Sequence, residues 1–393
     1  MAELSSDIVT SPNTPIEYHY SLRLPYTYIS LIYLLPNLPS TMSSNQPPIN
    51  AVYYPSWRIY KDLSPSSLQL DCVNQVYYAF VLLNEDGTLR FLDEYADLIK
   101  PVDGEKGCVR ALAKLKHRKP GLKTLVSLGG ASGSKEFPAV AANPVRRNTL
   151  ARSCRQFVDE WQLDGVDIDW EHPTTPQAGS DYIALLRSLR DALPSPRYLL
   201  TTALPVGEYC LRNIDLHTAG QLLDSLNLMG YDFNGPWSQV SGHHAQLFPQ
   251  PGPQYAVHPD LRHSCHHGVN YLVSHLFPRH KIMLGIPAYA RSFAGARGIG
   301  QPFNSAGETD YKDLPREWIH RAKVDQTVVA ASFVDNSANG RGFLSFDVPE
   351  TVKCKAEYVR KMGLGGLFYW TGVGDVKGPE SLVRAGYEAL NNG

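Results

Sequence analysis

The sequence predicts an α/β fold, a (β/α)8 TIM barrel with a small α+β insertion between its seventh and eighth strands. Three observations predict it. Apolar or β-branched runs recur eight times from residue 50 onward. Helix-like stretches with capping signals separate them. One interval alone, 287–365, is far longer than a single strand–helix step requires.

In chain order the strand candidates are 50–54, 73–80, 123–128, 165–171, 198–203, 225–231, 281–286 and 366–370. Asn143-Pro144 places a cap residue before a proline suited to the first helical position, predicting a helix to about residue 161. A second helix is predicted from 180 to about 193, with Ile183, Leu186 and Leu189 on one face, a third over 349–362 that stops at Gly363, and a last over 379–390. Eight strands alternating with helices close into a parallel barrel. The segment 293–341 is rich in Gly, Asn and Asp and carries short β-like runs at 327–334, with another following at 342–346. The predicted division is an N-terminal extension at 1–48, a barrel at 49–291 and 342–393, and an insertion subdomain at 292–341.

Composition limits the partners. A net charge of −1 gives no general attraction to nucleic acid or to an anionic membrane, and suits an uncharged ligand. The 22 tyrosines and 6 tryptophans suit sugar faces, although cores use aromatic rings more often. The six cysteines show neither CxxC pairs nor zinc spacing with histidine, so buried free thiols are expected. Glu3 and Asp7 make the N-terminus acidic, unlike a secretory signal, and the apolar patch at 28–35 is too short to span a bilayer. Met42 is the expected true start. The sequence contains no Asn-x-Ser/Thr sequon. Together these features lead to an expected cytoplasmic or non-classically exported protein, with an extracellular one as the alternative. A monomer without cofactor or metal is expected.

The stretch that carries chemistry is Leu163-Asp164-Gly165-Val166-Asp167-Ile168-Asp169-Trp170-Glu171-His172-Pro173. Alternate side chains of a strand share a face, so Asp167, Asp169 and Glu171 point into the barrel while Val166, Ile168 and Trp170 face the helices. Three carboxylates in one column cannot all ionise cheaply; they share protons and at least one pKa rises. Glu171 ends the column at the carboxyl mouth, where barrel enzymes place their chemistry. A protonated carboxyl there is what the oxygen of a glycosidic leaving group needs. A structural or metal-binding carboxylate cluster is the competing reading.

Asp164, Asp167, Asp169 and Glu171 complete the D-x-x-D-x-D-x-E signature, and the chain here resembles glycoside hydrolase family 18, in particular fungal-type chitinases with a small α+β insertion. Ser127-Leu128-Gly129-Gly130 is similar to the family's S-x-G-G, Met229-Gly230-Tyr231-Asp232 to its M-x-Y-D, and Tyr289-Ala290-Arg291 to its Y-x-R. The run 365–370 resembles the eighth strand that ends in the floor tryptophan, Trp370. The resemblance implies Glu171 as acid/base and Asp169 as the group holding the acetamido N–H. It implies Asp167 as the partner sharing a proton with Asp169, and Tyr231 as donor to the N-acetyl oxygen. That oxygen, on the substrate itself, would be the nucleophile, so no second carboxylate is needed and the β-anomer is retained. By the same resemblance Trp370 floors the site, and Tyr53, Phe80 and Met229 wall the acetamido pocket beside Gly130. Asp232, Tyr289 and Arg291 bind neighbouring hydroxyls, and Trp237 stacks a sugar on the leaving-group side. Asp164 falls out of parity with the other acids and reads as structural.

Two departures stand out. Ala131 follows the S-x-G-G where many relatives have tryptophan, which removes a stacking platform and puts processive action in doubt. His172 follows the acid where tyrosine is common, either as a bystander or as a modifier of the pH profile. The implied activity is an endo-acting chitinase, with chitin or N-acetylglucosamine oligosaccharides as the partner; a polymer substrate argues for contact with a cell wall. The alternatives are an endo-β-N-acetylglucosaminidase acting on N-glycans and a non-catalytic chitin-binding lectin.

Overall fold

A computed structural model describes residues 47–253 and 256–392. Met42 and the rest of the expected extension up to residue 46 lie outside the described residues. The strands used below are, in chain order, β1 (Ile49–Pro55), β2 (Gln75–Leu83), β3 (Lys123–Gly129), β4 (Gly165–Asp169), β5 (Leu199–Pro205), β6 (Ser225–Met229) and β7 (Ile282–Pro287). The insertion follows with β8 (Tyr289–Ala294), β9 (Ser305–Asp310), β10 (Lys323–Asp325), β11 (Ala330–Asp335) and β12 (Gly342–Phe346), and the chain returns in β13 (Gly366–Trp370). Strands β1 to β7 and β13 run parallel, and β1 pairs with both β13 and β2, which closes the eight-stranded barrel.

These runs read as almost uninterrupted apolar sequence because both faces of each strand are covered. Val52, Tyr54, Val76, Tyr78, Val126, Val166 and Ile168 pack outward into the helix-side core. Ala51, Tyr53, Tyr77, Ala79, Leu125, Met283 and Phe368 form a separate cluster inside the barrel. Polar Gln75, Ser127, Asp167, Thr201 and Asn227 are buried as well.

The helices used below are α1 (Cys108–Arg118), α2 (Pro144–Glu160), α3 (Pro176–Ala192), α4 (Cys265–Ser274), α5 (Pro349–Met362) and α6 (Leu382–Asn391). The Asn143 side chain accepts from the backbone N–H groups of Val145 and Arg146 and so starts α2. Helix α3 begins a turn earlier than residue 180, because the Thr175 hydroxyl caps it and Pro176 takes the first position. Helix α6 begins at Leu382 rather than 379, where Ser381 caps it. Gly363 ends α5 in the left-handed conformation at φ 67°. No described helix is long and apolar enough to cross a membrane.

The insertion is an antiparallel sheet in the order β9-β8-β12-β11-β10 with its own small core of Phe293, Ala296 and Phe343. Its sheet spans Tyr289 to Phe346, wider than the expected 292–341, since β8 starts one residue after β7 leaves the barrel. Just past β12, Asp347 accepts from Lys355 Nζ at 2.6 and 2.9 Å and from the Thr351 hydroxyl, all buried, tying the end of β12 to α5. All six cysteines are free; five are buried and Cys354 is half-buried.

Candidate active site

The acidic column lies at the mouth of the barrel. Asp167 and Asp169 project inward from β4 and are buried, while Trp170 turns outward and stacks on Phe137 at 5.5 Å with rings 7° apart. Asp167 is enclosed by donors: Tyr53 (2.8 Å) and Ser127 (2.7 Å) on one oxygen, Thr201 (2.6 Å) and Asn227 (3.4 Å) on the other. Burial still raises its pKa, against the pull of the Thr201, Ser127 and Tyr53 hydrogen bonds. Asp169 has none of this support. Its Oδ1 is buried without a hydrogen-bond partner, and burial, then the charges of Glu171 and Asp167, push its pKa well up. Asp164 accepts from Lys116 Nζ at 3.0 Å and from the Thr124 backbone N–H at 2.9 Å at the start of β4, a structural position.

Strand pairing stops at Asp169, so Glu171 stands just beyond β4 rather than within it. Its backbone N–H donates to Ser134 Oγ at 2.9 Å, and Ser134 also lies within hydrogen-bonding reach of the Gly130 and Asp169 carbonyls. Burial, helped by the charge of Asp232, pushes the Glu171 carboxyl up to about 7. The neighbouring His172 has Nε2 3.6 Å from Glu171 Oε2, and burial pushes its imidazole down to about 4, so the ring is neutral near pH 7. The non-proline cis peptide bonds Ala79–Phe80, Glu171–His172 and Trp370–Thr371 adjoin this region.

Two cavities meet at Glu171. One, of about 730 Å³, is lined by His172, Tyr209, Phe233, Trp237, Asp260, His263 and Arg291. The other, of about 490 Å³, is lined by Trp57, Phe80, Leu82, Leu92, Asp169 and Trp370. Ala131, Glu171, Met229, Tyr231 and Asp232 border both and stand at the junction. Phe80 stacks on Trp370 at 5.7 Å and on Trp57 at 6.1 Å, giving the second cavity an aromatic floor. Tyr231 is half-buried, edge-on to Tyr289 and Phe368. Asp232 adopts φ 60°, a left-handed conformation that Asp tolerates better than most residues, and its carboxylate accepts from Tyr289 and twice from Arg291. Burial alone would raise the Asp232 pKa, but His244 and Arg291 hold it well below the usual carboxylate range. Trp237, 59% exposed, lies over the Arg291 guanidinium at 5.2 Å. Among the described residues no group of three or more His, Cys, Asp or Glu is arranged to hold a metal ion.

The profile of glycosyl hydrolases family 18 matches residues 49–375, nearly the whole described chain. The chain belongs to this family. It is 32% identical over 360 residues to Endochitinase 1 of Metarhizium robertsii, covering 85% of this chain and 83% of that protein. It is 32% identical over 368 residues to Chitinase 1 of Aphanocladium album, covering 87% and 85%. Among solved structures, a Group IV chitinase of Ostrinia furnacalis superposes with a TM-score of 0.78 at 24% identity, covering 88% of this chain and all of that one, which establishes the shared fold.

Within the family 18 frame, two residues sit differently from their sequence-based placing. Tyr53 is 1% exposed and lies a layer beneath the cavity, its hydroxyl turned down to Asp167, so it supports the site rather than walling it. Gly130, at φ 79°, leaves room for Phe80: a Cβ there would meet the ring at 2.5 Å. The remaining candidates, Glu171, Asp169, Phe80, Met229, Tyr231, Asp232, Trp237, Arg291 and Trp370, line one or both cavities, with Tyr289 behind Asp232.

Sequence reasoning missed Trp57, Ser134, Tyr209 and His244. Trp57 could have been sought as an aromatic two residues past the end of β1, at the mouth. Tyr209 packs edge-on against His172 at 5.7 Å from the short helix Glu208–Leu211 after β5. His244 is buried with neither ring nitrogen hydrogen-bonded, its Nδ1 3.6 Å from Asp232 Oδ1. Lone residues of these types between the barrel strands carry no periodic signal.

Proposed function

We propose that the protein is an endo-acting chitinase, hydrolysing β-1,4-linked N-acetylglucosamine chains with retention of the β-anomer. The observation that carries the reading is Glu171: a carboxyl raised to about 7 at the junction of two open cavities. A chain lying through both would present a glycosidic oxygen to an acid that is still substantially protonated near neutral pH. The named relatives, an endochitinase and a chitinase, support the polymer as substrate.

In the proposed first step the Glu171 proton passes to the glycosidic oxygen, which keeps the electron pair of the breaking bond to C1. The substrate's N-acetyl oxygen closes on C1, giving a cyclic cation. Asp169, unpartnered at Oδ1, holds the acetamido N–H and, as the proton it shares shifts to Asp167, balances that charge. Tyr231 orients the N-acetyl oxygen. Water then adds to C1 from the side the leaving sugar vacated, the Glu171 carboxylate takes its proton, and the bond from C1 to the N-acetyl oxygen breaks, its electron pair restoring the acetamide. Asp232, the other carboxylate at the junction, is committed to Tyr289 and Arg291 and is a poor candidate for a covalent nucleophile.

The deciding experiment is hydrolysis of N-acetylglucosamine oligomers by the wild type and by Glu171→Gln, following product length and anomer. Wild type should release β-anomeric products, and the variant should lose roughly 10²- to 10⁴-fold in rate while still binding. Binding without turnover by the wild type would instead favour a lectin. Release of glycans from a glycoprotein, with chitin oligomers untouched, would favour an endo-β-N-acetylglucosaminidase.

A further inference from the structure

The interior of the barrel is not filled by apolar side chains alone. From Asp167 a file of buried polar groups runs down through the core toward the opposite mouth: Tyr53, Asn227, Tyr77 and Gln75, none more than 4% exposed. Gln75 is the first residue of β2 and pairs with Lys123, the first of β3, so the file ends where these strands begin. Tyr77 stacks on Tyr53 at 4.5 Å with rings 21° apart. Burying such groups carries a desolvation cost that an apolar filling would not.

Every bond in the file has one direction. An ionised Asp167 can only accept, and the Tyr53 hydroxyl gives its one hydrogen to it at 2.8 Å. The Tyr53 oxygen then accepts from the Asn227 amide nitrogen at 2.9 Å, and that nitrogen also reaches the other Asp167 oxygen at 3.4 Å. This turns the Asn227 carbonyl to Tyr77, which donates to it at 3.1 Å. The Tyr77 oxygen in turn accepts from the Gln75 amide at 2.6 Å. All the donors point up the barrel toward one carboxylate. Bonds aligned in this way polarise one another in a low-dielectric interior, so groups at the far mouth act on Asp167 without touching it.

We propose that Asn227, Tyr77 and Gln75 are positioning residues for the reaction, an aligned relay through the barrel that keeps the Asp167–Asp169 pair from taking up a second proton. The inference rests on the chitinase reading above and places part of the control over its acid range at the face opposite the cleft. Asp169 can balance the cyclic cation only while the pair holds no more than one proton. The ionisable groups facing Asp167 are Tyr53, Tyr77, Tyr182, Tyr231 and Asp169. Burial pushes all four tyrosines upward, so in acid Asp169 alone titrates with Asp167. Removing a donor from the relay weakens the hold on the carboxylate, and the second proton then binds at higher pH.

The test compares wild type with Tyr77→Phe, which deletes one hydroxyl and keeps the ring on Tyr53. Gln75→Met breaks the file at its far end and serves as the second variant should the first fail to fold. The kcat/KM for an N-acetylglucosamine oligomer is followed from about pH 3 to about pH 9. The expectation is an acid limb moved to higher pH by about half a unit in Tyr77→Phe and by less in Gln75→Met, with the alkaline limb of Glu171 unmoved. A second readout needs no turnover: in acid titrations followed by infrared spectroscopy of aspartate-labelled protein, the carboxylic-acid band of the buried pair should appear at higher pH in the variants than in wild type. Acid limbs and infrared titrations that coincide in wild type and both variants would overturn the proposal, as would a loss of rate equal at every pH or a parallel shift of both limbs. A wild type that cuts no oligomer would refute the chitinase reading, and the infrared titration would still decide the relay: a shift upholds it and none overturns it.

Discussion

Arg291 grips Asp232 side-on, with Nε 2.9 Å from one carboxylate oxygen and a terminal nitrogen 2.8 Å from the other. This two-pronged pair joins the insertion strand β8 to the loop after β6, and it keeps a negative charge beside Glu171. That charge favours the protonated form of Glu171. In Asp232→Asn the repulsion disappears, so the Glu171 pKa falls and the alkaline limb of the kcat/KM profile moves to lower pH. An unchanged limb would show that burial alone sets the acid.

For the wild type the direction follows from Glu171 itself. A proton donor raised to about 7 is present below that pH and lost above it. We expect kcat/KM for oligomer hydrolysis to fall about tenfold per unit above about pH 8. The neutral His172 should add no second transition near pH 7. Rates measured from about pH 5 to about pH 9 on wild type and His172→Phe would show this.

Tyr53→Phe removes one of four donors to the buried Asp167 without leaving a large cavity. The expected loss is about 1–3 kcal/mol in urea denaturation, the usual result of stripping a partner from a buried carboxylate. Because Tyr53 is beneath the cavity, KM should change less than kcat.

Gly130→Ala sets a methyl group against the Phe80 ring in a backbone conformation that L-residues avoid. A destabilisation of about 1–3 kcal/mol is expected. Phe80 stacks on Trp370, so the shift should also raise KM for oligomers. A variant with wild-type KM would mean that the floor does not depend on this contact.

Lys355→Met leaves the buried Asp347 carboxylate without its cation. Thermal or urea unfolding should show a loss of about 3–5 kcal/mol, while Lys355→Met combined with Asp347→Leu should recover much of it.

The barrel was legible because its strands are apolar on both faces and its helices carry local start signals, such as Asn143-Pro144. Glu171 was legible through parity and through the D-x-x-D-x-D-x-E signature: two acids on β4 fixed a direction that the third extends. What failed to show was anything set by contact across the chain. Tyr53 looks like an inward wall residue until Asp167 is seen to hold its hydroxyl, and Gly130 like a contact residue until the Phe80 ring fills its place. Trp57 and Tyr209 sit in short helical turns after β1 and β5, and only the closing of the barrel brings them to the mouth. Helix α3 was placed late because Thr175-Pro176 precedes its apolar stripe.

A single residue, Ala288, separates the last barrel residue of β7 from the first residue of the insertion sheet. The wall that carries Tyr289 and Arg291 therefore has almost no slack against the barrel, whereas β10 and β11 are reached from β8 only across β12. For protein engineering this makes the subdomain asymmetric. A tag, an epitope or a foreign carbohydrate-binding peptide spliced into the exposed turn between β11 and β12 would leave the junction of β7 and β8 untouched and spare the catalytic register, while one added residue at Ala288 would pull Arg291 off Asp232.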